Sequence, residues 1–137
     1  AGLLAQSLED MEIPCKILPR AEELVFELVL KNVFVFTINI AGLILEKGTT
    51  TSMLWQQHQR LARAVANDII TLQEFAAGRT FSRDRLIEGL VKGIKGDPNH
   101  KCKGRSAPGR LARTLELADQ GGLDIPAIRD IQRRINR

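Results

Sequence analysis

A lysine and an asparagine stand side by side in the most apolar stretch of this chain, Leu24-Val-Phe-Glu-Leu-Val-Leu-Lys31-Asn32-Val-Phe-Val-Phe-Thr-Ile-Asn39-Ile-Ala-Gly42-Leu-Ile-Leu45. Taking an ammonium out of water is costly unless it is paired or used. Lys31 is therefore either a managed structural exception or the centre of a site. On a helix, Glu27 and Lys31 are four apart and can pair along one face. Asn32 and Asn39 are seven apart, roughly two turns, and share a face, with Lys31 turned about 100° from Asn32. This spacing predicts a polar notch of Lys31, Asn32 and Asn39 on an apolar rod. The structural alternative has Lys31 paired with Glu27 or reaching for solvent, and the asparagines satisfying neighbouring helix ends.

A second concentration of chemistry-bearing residues is the loop Gly96-Asp-Pro-Asn-His-Lys-Cys-Lys-Gly-Arg-Ser-Ala-Pro-Gly-Arg110. It brings Asp97, His100 and several bases to the start of a helix. Arg105 and Ser106 fall at that start, where free N–H groups and the positive end of the helix dipole suit an anion. Arginine adds bidentate recognition of phosphate or carboxylate. The bland alternative is a solvated basic loop with Ser106 as an N-cap. His58 reads as a surface residue.

Helices must position these residues. The stretch 21–46 is ambiguous, since Val33 to Ile40 has high strand propensity, but the absence of a turn signal before Gly42 favours one long buried helix, with Pro19 and two glutamates at its start and an extended Ile13-to-Pro19 piece before it. Residues 1–12 read as a short amphipathic helix carrying Leu3, Leu4, Leu8 and Met11. Gly48 to Ser52 reads as a loop ending in an N-cap. Residues 53–77 form an amphipathic helix with Leu54, Leu61, Val65, Ile69, Leu72 and Phe75 near one face and Gly78 as the C-cap. Further helices follow at about 83–94, 107–120 and 125–136, the last capped by Asp124-Ile-Pro126. The pattern predicts an all-α fold of five or six helices in one domain.

Composition narrows the function classes. A chain of 137 residues can bury a real core. Residues 1–59 carry four Lys/Arg against seven Asp/Glu, and residues 60–137 carry sixteen against nine. The basic half favours anions such as phosphate metabolites, nucleotides, nucleic acid or acidic lipid. Scarce aromatics, with no tyrosine, disfavour single-strand nucleic-acid binding by stacking. Cys15 and Cys102 belong to no ligand run, so neither a metal site nor a disulfide framework is expected. That cysteine usage and the lack of a secretory signal make the cytoplasm the expected compartment. The uncharged run from Asn32 to Leu45 is too short to span a bilayer. Neither a dinucleotide-binding Gly-x-Gly-x-x-Gly nor a Gly-Lys-Ser/Thr phosphate loop is present. The chain starts at Ala1 rather than Met, which fits a piece of a longer protein as well as simple processing.

From Val29-Leu-Lys31-Asn32 through Asn39 to Gly42, the chain resembles the opening helix of a dehydrogenase C-terminal domain. The similarity is to NAD-dependent glycerol-3-phosphate dehydrogenases and their relatives, including ketopantoate reductases, of the 6-phosphogluconate dehydrogenase C-terminal-like group. In the glycerophosphate enzymes that helix bears a Leu-Lys-Asn-Val/Ile sequence, and its lysine is catalytic. Gly104-Arg105-Ser106 resembles their phosphate-holding Gly-Arg-Asn turn, with serine in place of asparagine. Gly-Leu-Asp-Ile-Pro-Ala-Ile128 resembles the closing-helix signature. Val35 departs from the first asparagine of ketopantoate reductases, whereas Asn39 matches their second.

The resemblance implies a helical substrate-binding and dimerisation domain over 21–137, preceded at 1–20 by the end of a nucleotide-binding domain or a linker from it. It implies Lys31 as proton donor and carbonyl polariser, with Asn32 beside it. Asn39, Asp97, His100, Arg105 and Ser106 would hold a small anionic hydroxy or keto metabolite. NAD or NADP would be bound mainly by a domain absent from this chain, which alone should be inactive, and a homodimer is implied. The competing expectation is a non-enzymatic all-α module whose basic half binds an anionic partner such as nucleic acid.

Overall fold

The computed structural model describes residues 17–136, and these fold into six helices without a strand ladder. They are α1 (Ile17–Gly42), α2 (Thr51–Gln57), α3 (Gln59–Ala77), α4 (Arg83–Gly96), α5 (Ala107–Gly121) and α6 (Pro126–Ile135). The all-α expectation is met. The amphipathic segment expected over 1–12, and Cys15, lie outside the described residues.

The long first helix begins at Ile17, earlier than the proline-based reading placed it. Pro19 falls in the first turn, where a missing N–H breaks no intrahelical bond. The helix ends at Gly42 rather than near residue 46, and Leu43, Ile44 and Leu45 continue in a tightened turn of i to i−3 bonds. Gly42 is needed for close approach: a Cβ there would stand 2.9 Å from the Lys103 backbone nitrogen.

The core forms where the second half of α1 lies against α3, α4 and α5. Val29, Val33, Ile38, Ile40 and Ala41 of α1 meet Val65, Ile69 and Leu72 of α3, Leu86 and Leu90 of α4, and Leu111 of α5 in one buried cluster. Burying each large side chain contributes roughly 1.5–3 kcal/mol. Gly89 and Gly93 open a trough on α4 for Leu30 and Phe34; a Cβ at Gly93 would stand 2.8 Å from the Phe34 ring. Ala21–Gly42 has the length and mean hydropathy, 1.8, of a membrane-crossing helix, longer than the uncharged run read from the sequence, and 39% of its apolar window is buried inside the bundle.

The helix expected over 53–77 is two helices that join at His58, whose φ of −133° leaves the helical region. In an unbroken helix the Gln59 backbone N–H would bond the Trp55 carbonyl. Here the Gln59 side-chain amide lies against that carbonyl at 3.5 Å instead. Arg63 of α3 covers the Trp55 ring of α2 at 4.9 Å, across the junction. The N-cap of α2 is Thr50, whose hydroxyl accepts the Met53 N–H at 3.2 Å; Ser52 lies inside the helix. Ser82 caps α4 by accepting the Arg85 N–H, and Gly78 ends α3 at φ 69°, the C-cap expected of it.

The cap of α6 comes from another helix. Asp68, buried on α3, accepts the backbone N–H groups of Ala127 at 2.9 Å and Ile128 at 3.1 Å. These are two of the orphan donors of the first turn, so Asp68 does the work expected of Asp124 and also ties α3 to α6. Burial pushes the Asp68 carboxyl above its ordinary value of 3.8, while the two N–H bonds pull it back. Replacing Asp68 with Ala should destabilise the fold by about 1–2 kcal/mol. Folded Asp68 binds its proton more tightly than the unfolded chain does. That contribution is complete below pH 3.8 and is lost as pH rises through the folded value. Asp68→Asn keeps an acceptor and does not titrate. Its melting temperature should therefore gain on that of the parent protein between pH 4 and 7, and a constant gap would contradict this account.

Candidate functional site

The residues singled out by sequence fall into three places along α1. Lys31 is exposed, not buried as the surrounding apolar run implies. Glu27 is exposed too, and the two do not form an ion pair among the described residues. The reason is the length of α1. Its partner helices bury the second half of the rod; before Val29, Phe26 still packs against the core under Arg85 of α4, but Leu24, Val25 and Leu28 stay open. Leu24 is 65% exposed and Leu28 60%. With Lys31 and Val35 they lie at i, i+4, i+7 and i+11, so Lys31 continues an uncovered leucine stripe.

Asn32 and Asn39 do share a face, but that face is turned inward, against α3 and α5. Asn32 is half-buried and donates from Nδ2 to Gln73 Oε1 of α3 at 3.1 Å. The pair lies on the wall of a cleft of about 570 Å³ between α1, α3 and α5, with Phe36 and Leu72 apolar and Arg113 and Glu116 charged. Lys31 does not line this cleft. A single open notch of Lys31, Asn32 and Asn39 is therefore not what forms.

Asn39 is buried at 5% exposure and is fully used. Its Nδ2 donates to the Cys102 carbonyl at 2.8 Å, and its Oδ1 accepts from Arg110 Nη1 of α5. The Arg110 guanidinium also lies over the Phe36 ring at 5.8 Å. Asn39 thus holds down the loop before α5, which is the role of satisfying a neighbouring element. The same loop is stitched to residues 49–52 by Cys102 N–H to the Thr49 carbonyl, Thr51 N–H to the His100 carbonyl, and a Thr50–Lys101 antiparallel bridge. Thr51 Oγ1 adds a bond to the Asp97 carbonyl at 2.7 Å.

Within that loop, Asp97 and His100 lie 3.4 Å apart, carboxylate to Nδ1, and both are exposed. Arg105 and Ser106 are exposed at the start of α5. Ser106 occupies the N-cap position, but its hydroxyl makes no capping bond, because its backbone is already helical at φ −87°, ψ 0°. Gly104 lies beside Asn39: a Cβ there would stand 3.8 Å from Asn39 Oδ1. The Gly104-Arg105-Ser106 turn therefore sits near Asn39, eight residues and about 12 Å along α1 from Lys31. Both parts of the expected site border the same helix at different levels.

Sequence reasoning missed Gln73, Arg110 and Arg113, because no local pattern marks a residue that reaches across to another helix. It counted Lys101 and Lys103 only among the bases of the loop and passed over Lys47; the three line a cleft with Leu45, Gly48 and Gly104. Their signal was legible: Lys-Cys-Lys alternates, and an extended backbone sends Cys102 inward and both lysines outward. Among the described residues no group of His, Cys, Asp and Glu could hold a metal ion. No family model, curated protein or solved structure matches the chain.

Cys102 is fully buried beneath the Asn39 clasp, and burial pushes its thiol up to about 11. Iodoacetamide at pH 8 should therefore label Cys102 slowly in the folded protein. Asn39→Ala removes both clasp bonds. It should cost about 1–3 kcal/mol and raise Cys102 labelling severalfold, as read by peptide mapping. Equal labelling rates in the two proteins would show that Asn39 does not secure the loop.

Proposed function

We propose that this chain is the helical substrate-binding and dimerisation part of an NAD- or NADP-dependent oxidoreductase acting on a small anionic hydroxy or keto compound. The observation that carries the reading is the exposed Lys31 at the end of the uncovered Leu24–Leu28 stripe. An apolar stripe in water is a face that wants a partner, and a lysine at its edge is where a partner would meet a ligand. The resemblance to dehydrogenase C-terminal domains supplies that partner as a nucleotide-binding domain. The all-helical fold and the opening helix with Lys31-Asn32 support the same reading.

In this proposal a bound nicotinamide supplies the hydride chemistry. This chain has no glycine-rich dinucleotide turn, so the contacts to the cofactor fall to the docked domain. Docking against the leucine stripe excludes water around Lys31. In a dry cleft the ammonium offsets the charge developing on the substrate carbonyl oxygen more strongly than it can in water, and it gives that oxygen its proton. Asn32 adjoins Lys31 in sequence but is bonded to Gln73 on the inward face, and Arg105 at the Gly104–Ser106 turn lies about 12 Å along α1, too far to hold the other end of a small substrate seated at Lys31. Asn39 fixes that turn through Cys102 and Arg110.

The test is turnover of the complete gene product with NADH or NADPH and a panel of phosphorylated hydroxyketones and 2-keto acids. Because Lys31 is exposed, Lys31→Ala should fold with an unchanged melting temperature and lose about 10²–10⁴-fold in kcat. Unchanged turnover in a folded Lys31→Ala protein would remove the assignment.

A further inference from the structure

We propose that Lys47, Lys101 and Lys103 form a binding site for a small, multiply charged phosphate. The three lysines line one cleft of about 540 Å³ at the junction of two loops, with Leu45, Gly48 and Gly104 completing its wall. No carboxylate lines it. Three other clefts on the described surface are balanced: Arg63, Lys92 and Lys95 meet Asp84 and Glu88, Arg79 and Arg85 meet Glu22, Glu23 and Glu27, and Arg113 meets Glu116. The three lysines also take part in none of the ion pairs among the described residues. Like charges gathered without a counter-charge repel one another, and an anion relieves that repulsion.

The cleft is built rather than incidental. The lysines ride on backbone that is fixed from three sides. Cys102, between Lys101 and Lys103, is fully buried, and its carbonyl is held by Asn39. The Thr50–Lys101 bridge and the Cys102 N–H to Thr49 carbonyl bond lock the two loops together. Gly48 turns the Lys47 loop at φ +91°, a conformation that L side chains rarely adopt, and Thr49 Oγ1 closes the turn on the Glu46 carbonyl at 2.7 Å. A scaffold fixed in advance lowers the ordering cost of binding.

Lysine chemistry selects the ligand class. Ammonium groups are compact point charges with rotatable donors, suited to the spread oxygens of phosphate rather than to one planar carboxylate. Three positive charges match a diphosphate or a doubly ionised phosphate ester. The site is independent of the Lys31 reading. Lys31 lies eleven residues before Gly42, the end of α1, about 16 Å along the helix axis, too far for one small anion to touch both.

Calorimetric titration with inorganic pyrophosphate tests the proposal in this chain. Binding should be detectable at 50 mM salt, and Lys101→Gln/Lys103→Gln should weaken it at least tenfold with the fold intact by circular dichroism. Lys47→Gln should weaken it by a smaller factor, and Lys92→Gln/Lys95→Gln, in the balanced cleft, should leave it unchanged. No pyrophosphate binding at millimolar concentration would overturn the proposal. So would equal weakening by the two double variants. A DNA duplex that binds more tightly than pyrophosphate and loses affinity equally in both double variants would also overturn it, pointing to a diffuse basic surface.

Discussion

The carboxamide of Asn39 is the interaction on which the functional end of this molecule depends. A buried amide must satisfy both its donor and its acceptor, or leave a costly orphan. Asn39 does so by gripping two different elements, the Cys102 carbonyl of the loop and Arg110 of α5. That pair of hydrogen bonds fixes where the loop crosses the end of α1, and so explains why residue 42 must be glycine. It sets Gly104 and the start of α5 beside α1, and turns the lysines on either side of Cys102 outward. The chemistry-bearing loop is therefore an extension of the core rather than a mobile strap.

The second organising constraint is the mismatch between the length of α1 and the size of the bundle. Twenty-six residues make a rod of about 39 Å, longer than the small helices around it can cover. The half from Val29 to Gly42 carries the core, while Leu24, Val25 and Leu28 remain exposed. Natural surfaces rarely leave such a stripe without use. The proposed dehydrogenase reading gives it one, as the face on which a nucleotide-binding domain docks, with Lys31 at the boundary between the two. The two stabilising ties elsewhere, Asp68 to α6 and the glycine trough of α4, keep the rest of the bundle fixed while that face stays open.

The helices were legible because period and caps agree over most of their length. Ser82, Gly78 and Pro126 mark their ends as local chemistry demands. Reading failed where a tertiary partner replaced a local signal. The break at His58 carries no Pro or Gly, and the Gln59 side-chain amide lies there against the Trp55 carbonyl. The cap of α6 lies on α3, 59 residues away from the N–H it accepts. The exposure of Lys31 is the structural alternative that the sequence left open: an apolar run reads as buried along its whole length, but only packing decides where cover stops. The seven-residue spacing of Asn32 and Asn39 did place them on one face. What spacing could not supply is that this face meets Gln73 and Arg110 rather than solvent.

The central claim is that the exposed stripe of α1 is a docking face beside a working lysine. The most direct measurement is the thiol reactivity of Leu28→Cys, placed in a Cys15→Ser background, since Cys102 is buried. Its labelling rate would be compared in this chain alone and in the complete gene product with bound NADH. The account predicts rapid labelling in the isolated chain and protection of at least tenfold in the complete product. Equal rates in both would contradict it, leaving the leucine stripe uncovered and Lys31 an ordinary surface residue.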